Sequence, residues 1–431
     1  MKYFKNFFKG FGCFITLALM LNMFAMADVG ATDTITKQEL FDKMLNSIDY
    51  FNSVSGIFVT SLANAEGLET TIQFDTDVPS QTSYEKFSND KVNMEAYFEK
   101  ITLTTCDNLK RNIESIRSMA LPADGIKPRI EIEKDGIKNY IYREEKTNLH
   151  YGAISIHSQD LTFGLLGDFS LWDIADYEII QGRNCVKVTG KADEYYGTKL
   201  NMQSFILKVD IQTGIVIKFE SFDSNNNLSQ YLYTKELNID SGTSVKKLSI
   251  EEYATYEIFD KADLNSDKNI TPAEANTPRM SGTIDNDTID SKYFNSRTGF
   301  PTYLTVNPNL YNGDARREVY NKYSSEYTWG LKTRFYDSRG GVLNVTWSVY
   351  LYDTYFTDTQ ARYGTLSGGG EMMFYLNSVN QNTAPAGWST RTGRLFFDTP
   401  IGLKEFTLNP GGGGSGYTGA DAFRFDMYRE A

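Results

Sequence analysis

Oxygen-bearing side chains fall at a regular spacing between residues 263 and 274. Asp263, Asn265, Asp267, Asn269, Thr271 and Glu274 occupy positions 1, 3, 5, 7, 9 and 12 of that twelve-residue stretch. Oxygen donors suit a hard cation, and calcium takes about 6–8 of them at roughly 2.3–2.6 Å. In such a shell Asp263, Asn265 and Asp267 give side-chain oxygens and Asn269 gives its backbone carbonyl. Thr271 contributes directly or through a water, and Glu274 closes the shell with both carboxylate oxygens. Ile270, at position 8, is the apolar residue that pins the loop into a short strand. The plain alternative is a polar, Asp/Asn-rich linker.

The flanks carry the elements that would position these ligands. Upstream, Ser249 and Glu252 form a capping box, and Ile250, Ala254, Ile258 and Ala262 recur at helical spacing with Phe259 beside them. Downstream, Thr271 can cap a helix with Pro272 at its first position and Glu274 at its third. The segment therefore resembles an EF-hand, whose leaving helix starts inside the loop. Two features set it apart. Lys268 stands where a glycine normally makes the sharp turn, at a cost of about 1 kcal/mol. There is no convincing second loop, so the expected affinity lies near 10⁻⁴–10⁻³ M, roughly that of extracellular modules. A dockerin resembles a pair of such loops and usually ends them in Asp; this segment has one loop ending in Glu.

Bulk properties narrow the classes. The 431 residues carry a net charge of -12 and are 41% hydrophobic, which is enough for packed cores. An acidic chain lacks the basic footprint that nucleic acid needs. Two histidines, His150 and His157, leave little for His-based acid–base or triad catalysis. No carboxylate spacing singles out a glycosidase pair, and no glycine cluster is followed by the Lys-Ser/Thr of a phosphate loop. The expectation is a non-enzymatic protein. Of three cysteines, Cys13 lies in the apolar leader; Cys106 and Cys185 remain, and their spacing does not decide whether they pair.

Lys2, Lys5 and Lys9, the apolar run from Phe11 to Phe24, and Ala25-Met26-Ala27 have the layout of a secretory signal peptide over residues 1–27, with Asp28 as the first mature residue. The run is short for a bilayer, which takes roughly 20 apolar residues. The expectation is an exported, extracellular or cell-surface chain with no transmembrane anchor after cleavage.

Three parts follow: residues 33–243, 244–281 and 283–431. The first opens with a helix, in which Leu40, Phe41, Met44, Leu45, Ile48 and Phe51 recur at helical spacing. A second helix is expected between Asp107 and Met119, stopped by Pro122. Hairpins are expected around Asp135-Gly136, Gln181-Gly182 and Thr213-Gly214. Val54-Ser55-Gly56, then YEIIQGRNCVKVTG from Tyr177 and FILKVDIQTGIVIKFESFD from Phe205, resemble the LolA-like lipoprotein-carrier and sigma-factor-regulator superfamily. That resemblance implies a curved antiparallel half-barrel with helices and a pocket for an acyl chain or another apolar ligand. It also implies an alternative role, in envelope-stress regulation through a membrane-bound partner.

The third part reads as many short strands. Leu343, Val345, Trp347, Val349 and Leu351 alternate with Asn344, Thr346, Ser348 and Tyr350, one face buried and one wet. The strands and Gly-rich turns point to a β-sandwich or jelly roll. Ile284-Asp285-Asn286-Asp287, Tyr311-Asn312-Gly313-Asp314, Gly387-Trp388 and the closing GADAFRFDMY from Gly419 resemble the golvesin/xanthan-lyase carbohydrate-binding-like domain. The resemblance implies binding to polysaccharide or cell-wall glycan. Trp388 and Tyr350 are the candidates for stacking on sugar rings, although burial is the favoured expectation even for Trp388, while Trp329 and Trp347 alternate with the core face. The expected fold class is mainly β with some α.

Overall fold

A computed structural model describes residues 34–63, 66–100, 102–109, 112–117, 126–144, 147–242, 244–248, 278, 280–286, 292–298, 300, 302–305, 310–319, 326–337, 341–366, 372–397, 401–410 and 417–429. The chain divides into two units. Of Met1–Thr36, residues 34–36 are described and form no helix or strand; Lys37–Ala431 holds all the elements below. The 1–27 leader and the 263–274 loop lie outside the described residues, within which no helix is long and apolar enough to cross a membrane.

Helix α1 spans Lys37–Leu45. Its stripe is buried as the spacing predicts: Leu40, Phe41, Met44 and Leu45, continued by Ile48 and Phe51. Each contributes about 1.5–3 kcal/mol on burial. The surface beneath it is an eleven-stranded antiparallel sheet. One wing is a meander of β1 (Ser53–Thr60), β2 (Thr70–Asp77), β3 (Thr82–Ser88), β4 (Asn93–Glu99), β5 (Thr102–Asp107) and β6 (Asn112–Arg117). Between the wings in sequence come a hairpin, β7 (Arg129–Ile132) and β8 (Lys138–Ile141), and the helices α2 (Ala153–Ile156) and α3 (Gln159–Leu166). The other wing is β9 (Trp172–Ile180), β10 (Arg183–Lys191), α4 (Glu194–Lys199), β11 (Ser204–Asp210), β12 (Val216–Phe222) and β13 (Leu228–Ile239). The pairing of β1 with β13 joins the wings.

The sheet alternates as strands facing a core must. In β2, Thr70, Ile72 and Phe74 are buried and Gln73 is exposed. Gly214 makes its hairpin turn at φ +77°, where an added Cβ would come within 2.6 Å of the Lys43 carbonyl. Only glycine lets the end of α1 lie that close.

The expected helix between Asp107 and Met119 is instead the β5–β6 hairpin, with Cys106 opposite Ile113. Pairing along the edge of an existing sheet overrides a weak helical pattern. Cys106, on β5, and Cys185, on β10, are both buried thiols that form no disulfide, which answers the question their spacing left open.

The rest is a sandwich. Its strands are β14 (Met280–Ile284), β15 (Tyr293–Thr298), β16 (Thr302–Thr305), β17 (Asp314–Val319), β18 (Glu326–Asp337), β19 (Gly341–Leu351), β20 (Ala361–Leu366), β21 (Met372–Val379), β22 (Gly387–Phe397), β23 (Ile401–Asn409), β24 (Tyr417–Ala420) and β25 (Phe423–Arg429). One sheet runs β14-β25-β19-β22-β8-β7, a second β15-β18-β23-β20-β21, and β16-β17-β24 form a small third. Trp329 stacks on Phe423 at 5.3 Å, Phe406 meets Phe425 at 4.8 Å, and Trp347 meets Tyr363 at 5.2 Å, so side chains of the two large sheets interlock.

The Asp135-Gly136 hairpin forms as its turn signal predicts, but it does not join the first sheet. It continues the sandwich: β8 runs parallel to β22, with Asn139, Tyr140 and Ile141 opposite Trp388, Ser389 and Thr390. This is the parallel pairing in an otherwise antiparallel set of described strands.

Candidate functional site

Three places could bind something, and each follows from how its elements pack. The first is the concave face of the eleven-stranded sheet, where the LolA-like resemblance implies a pocket. Here α1 and α3 lie against the sheet with Phe41 and Phe163 edge to face at 6.4 Å and Phe41 against Phe169 at 5.6 Å. Fixed polar ties hold them there. Ser47 Oγ donates to the Ile156 carbonyl at 2.5 Å, Ser155 Oγ to the Val216 carbonyl at 2.9 Å, and His157 Nε2 lies 3.0 Å from the Leu45 carbonyl. Glu85, on β3, accepts backbone N–H groups from Tyr151 at 3.0 Å and Gly152 at 2.5 Å, fixing the start of the helical segment. The face is occupied by the chain's own side chains.

The second place is the seam between the helical segment and the sandwich, a cleft of about 110 Å³. Small-molecule pockets run to roughly 300–1,000 Å³, so this cleft holds a few waters or a small fragment. Its walls are polar and cross-linked. Tyr142 Oη donates to Asp160 at 2.7 Å, Thr383 Oγ1 donates to the other oxygen of Asp160 at 2.8 Å, and Tyr196 Oη donates to the Thr383 carbonyl at 2.5 Å. Asn377 Nδ2 donates to Glu144 at 2.5 Å, and the Arg391 guanidinium lies 3.4 Å from Glu144 and over the Tyr142 ring at 4.1 Å. Gln360 Nε2 meets His150 Nδ1 at 2.7 Å. Lys199 donates to the Gln381 carbonyl at 2.5 Å and to Tyr195 Oη at 2.7 Å. Burial pulls the Lys199 ammonium down to about 7, against the opposing pull of Asp160 and Asp353. Both histidines are thus seam and helix-packing residues.

The third place is on the small sheet. Trp388 and Tyr350, the stackers that the sequence suggests, are only 2% and 3% exposed. They pack with Ala422, Ile137, Tyr311 and Tyr352 because the β7–β8 hairpin covers the face of β19 expected to be wet. Arg424, which spans 4.3 Å to the Trp388 ring, is tied to Glu133 of the hairpin at 2.5 Å. The exposed aromatics lie elsewhere. Tyr355 is 57% and Tyr417 37% exposed. Arg317, on β17, holds its guanidinium 4.7 Å from the Tyr355 ring and 4.5 Å from the Tyr417 ring. Tyr417 reaches it as the diagonal neighbour of the Arg317–Gly419 pair.

The loop that carries Tyr355 is stitched to β24. The backbone N–H groups of Thr357 and Asp358 donate to the Tyr417 carbonyl at 2.9 and 3.0 Å, and Tyr417 N–H donates to Thr357 Oγ1 at 3.0 Å. Phe356, fully buried, lies flat on Gly419, where an added Cβ would overlap its ring. Asp353 accepts the Tyr355 N–H at 2.7 Å; burial raises its carboxyl, and Arg317 counters that pull. The platform is aromatic and cationic, on a tied backbone, and its tyrosine rings are partly open to solvent. Tyrosines scattered through a Tyr-rich sequence give no signal of this kind; it comes from register and loop ties.

Of the predicted calcium ligands Asp263, Asn265, Asp267, Asn269, Thr271 and Glu274, all lie outside the described residues. The described residues hold no group of three His, Cys, Asp or Glu side chains in metal-ligating range.

No family model and no curated protein matches the chain. Solved structures do align with it. An uncharacterized conserved protein from Thermus thermophilus is 7% identical, over 51% of this chain and 98% of that one, with a TM-score of 0.29. The MucA/MucB complex of Pseudomonas aeruginosa is 12% identical, over 87% and 93%, at 0.29. The lipoprotein LppX of Mycobacterium tuberculosis is 11% identical, over 49% and 100%, at 0.26. These are likenesses of outline, and what this chain binds has to be sought in its own residues.

Proposed function

We propose that the chain is an exported, non-enzymatic binding protein that holds a glycan through its C-terminal sandwich. The carrying observation is the pair of exposed tyrosines, Tyr355 and Tyr417, braced on Arg317 by a stitched loop. Sugar rings stack on exposed aromatic faces, and a tied backbone beneath them loses little entropy on binding. The half-barrel then serves as the scaffold that presents the sandwich. An acyl ligand on its concave face would need α1 and α3 to move apart, because their side chains fill it. Retention of the intact protein on insoluble polysaccharide tests the proposal. If no cell-wall or exopolysaccharide fraction retains it, glycan binding fails.

The 263–274 segment adds a calcium loop to this reading, with Asp263, Asp267 and Glu274 as its carboxylates and structural stiffening as its task. Isothermal titration of the intact protein should give heat at millimolar calcium that Asp263→Ala abolishes. No heat, or heat unchanged by that substitution, removes the loop from the account.

A further inference from the structure

We propose that the Tyr355–Arg317–Tyr417 platform selects an acidic saccharide, one whose sugar rings carry carboxylates; the inference rests on the glycan reading above. Three observations on the site converge. The first is shape. Each tyrosine places one face on the guanidinium and leaves the rest of its ring to solvent, at 57% and 37% exposure. A pyranose needs such a flat apolar surface.

The second is an unmet donor set. Arg317 Nε and Nη1 are buried and have no hydrogen-bond acceptor among the described residues. A buried donor without an acceptor is costly, and more so on a charged group. A carboxylate is its natural complement, because the planar guanidinium fork matches two carboxylate oxygens. Both donor atoms are covered in this structure. Tyr355 is an exposed side chain, and such side chains change rotamer in picoseconds to nanoseconds, so its turning aside is the movement that would admit the acceptor.

The third is support. The Tyr355 loop is tied to β24 through Thr357 and Asp358, and Phe356 is seated on Gly419, so the backbone under the rings does not have to be ordered by the ligand. Asp353, near enough for Arg317 to lower its carboxyl, offsets part of the cation, so the preference for a carboxylate rests on the unmet Nε and Nη1 donors.

In this arrangement one sugar ring lies on the outer face of a tyrosine, and its carboxylate accepts from the edge of the guanidinium. A neutral sugar keeps the stacking and leaves the donors unmet. A phosphate or sulfate would use Arg317 without the tyrosine faces.

The experiment uses the intact mature protein and two probes that share one backbone: oligogalacturonate and its methyl ester, which has the same rings without the charge. Affinities come from isothermal titration at fixed ionic strength, with inorganic phosphate as a third probe. The expected result is that the acid binds at least 10-fold more tightly than the ester. Tyr355→Ala and Tyr417→Ala should each weaken both sugars about 10-fold or more, while Arg317→Gln should cost the acid more than the ester and bring the two affinities together. Because Arg317 is partly covered, its variant is accepted only with an unchanged melting curve; if it fails to fold, the acid-to-ester ratio of the wild-type protein decides. Equal binding of acid and ester overturns the inference and leaves the glycan reading standing. So does glycan binding that the three substitutions do not alter. Phosphate competing as well as the acid, with no effect of the tyrosine changes, shows a bare anion site and overturns it too. Failure of the wild-type protein to bind any glycan overturns both.

Discussion

The seam is held by a buried charge pair, and removing one member should unlock it. Glu144 is 2% exposed; it takes the Asn377 amide at 2.5 Å and faces the Arg391 guanidinium at 3.4 Å. Glu144→Leu leaves a guanidinium in a covered site without this carboxylate, over the Tyr142 ring at 4.1 Å. Stranding one charge of a buried pair costs about 3–5 kcal/mol, which outweighs the roughly 0.5–2 kcal/mol of the remaining cation–π contact. In a thermal scan that is a fall of roughly 6–20 °C in the transition that includes the seam. Replacing both members, Glu144→Leu with Arg391→Leu, removes the stranded charge and should recover most of the loss, since an apolar pair of similar volume is often neutral. Urea unfolding and calorimetry of the two variants beside the parent read both effects. A single-variant loss under about 1 kcal/mol, or a double variant no more stable than the single, refutes the assignment of Glu144 and Arg391 as the seam's lock.

Two further outcomes follow from particular residues. Lys199 titrates at about 7 in the folded protein and near 10.5 when unfolded, so between those values the unfolded chain binds more protons and stability rises with pH. Urea midpoints should therefore climb from pH 7 toward pH 10, and Lys199→Met should flatten that climb; an unchanged slope discounts burial of the ammonium. Gly214→Ala puts a Cβ within 2.6 Å of the Lys43 carbonyl at a positive φ, so it should cost at least about 1–2 kcal/mol in urea unfolding; a neutral result would mean that α1 does not sit over that turn.

Much of the fold was legible because its signals are local. The α1 stripe, the three glycine hairpins and the inward face of β19 all follow from period and turn chemistry, and the structure places each where the spacing puts it. What was not legible depends on partners distant in sequence. The 107–119 stretch becomes strand because β5 offers an edge. Ser348 and Tyr350 alternate as a wet face would, yet both are buried, because a hairpin from residues 129–141 covers them. The same cover buries Trp388, as the ordinary burial of tryptophan favours, through a strand some 250 positions away, and Tyr355 and Tyr417 are left outside. The oxygen ladder of 263–274 was the clearest chemical pattern in the sequence, and it lies outside the described residues.

The β8–β22 pairing also bears on the order of folding. Asn139 accepts a hydrogen bond from Thr390, 251 positions along the chain. Closing a loop of that length from the unfolded chain costs about 5 kcal/mol in entropy beyond a constant, and three parallel residue pairs are a small return for it. On that count the hairpin is expected to dock after the sheets on either side have formed, because the union of β1 with β13 bridges residues 54–239 and leaves the 151 positions from Ile239 to Thr390 still to be closed. The N-terminal strand of this contact, Lys138–Ile141, is made well before its partner, Gly387–Phe397. Without residues 129–141 the β22 edge would be open to pairing with another chain, so the hairpin caps an edge of the sandwich sheet.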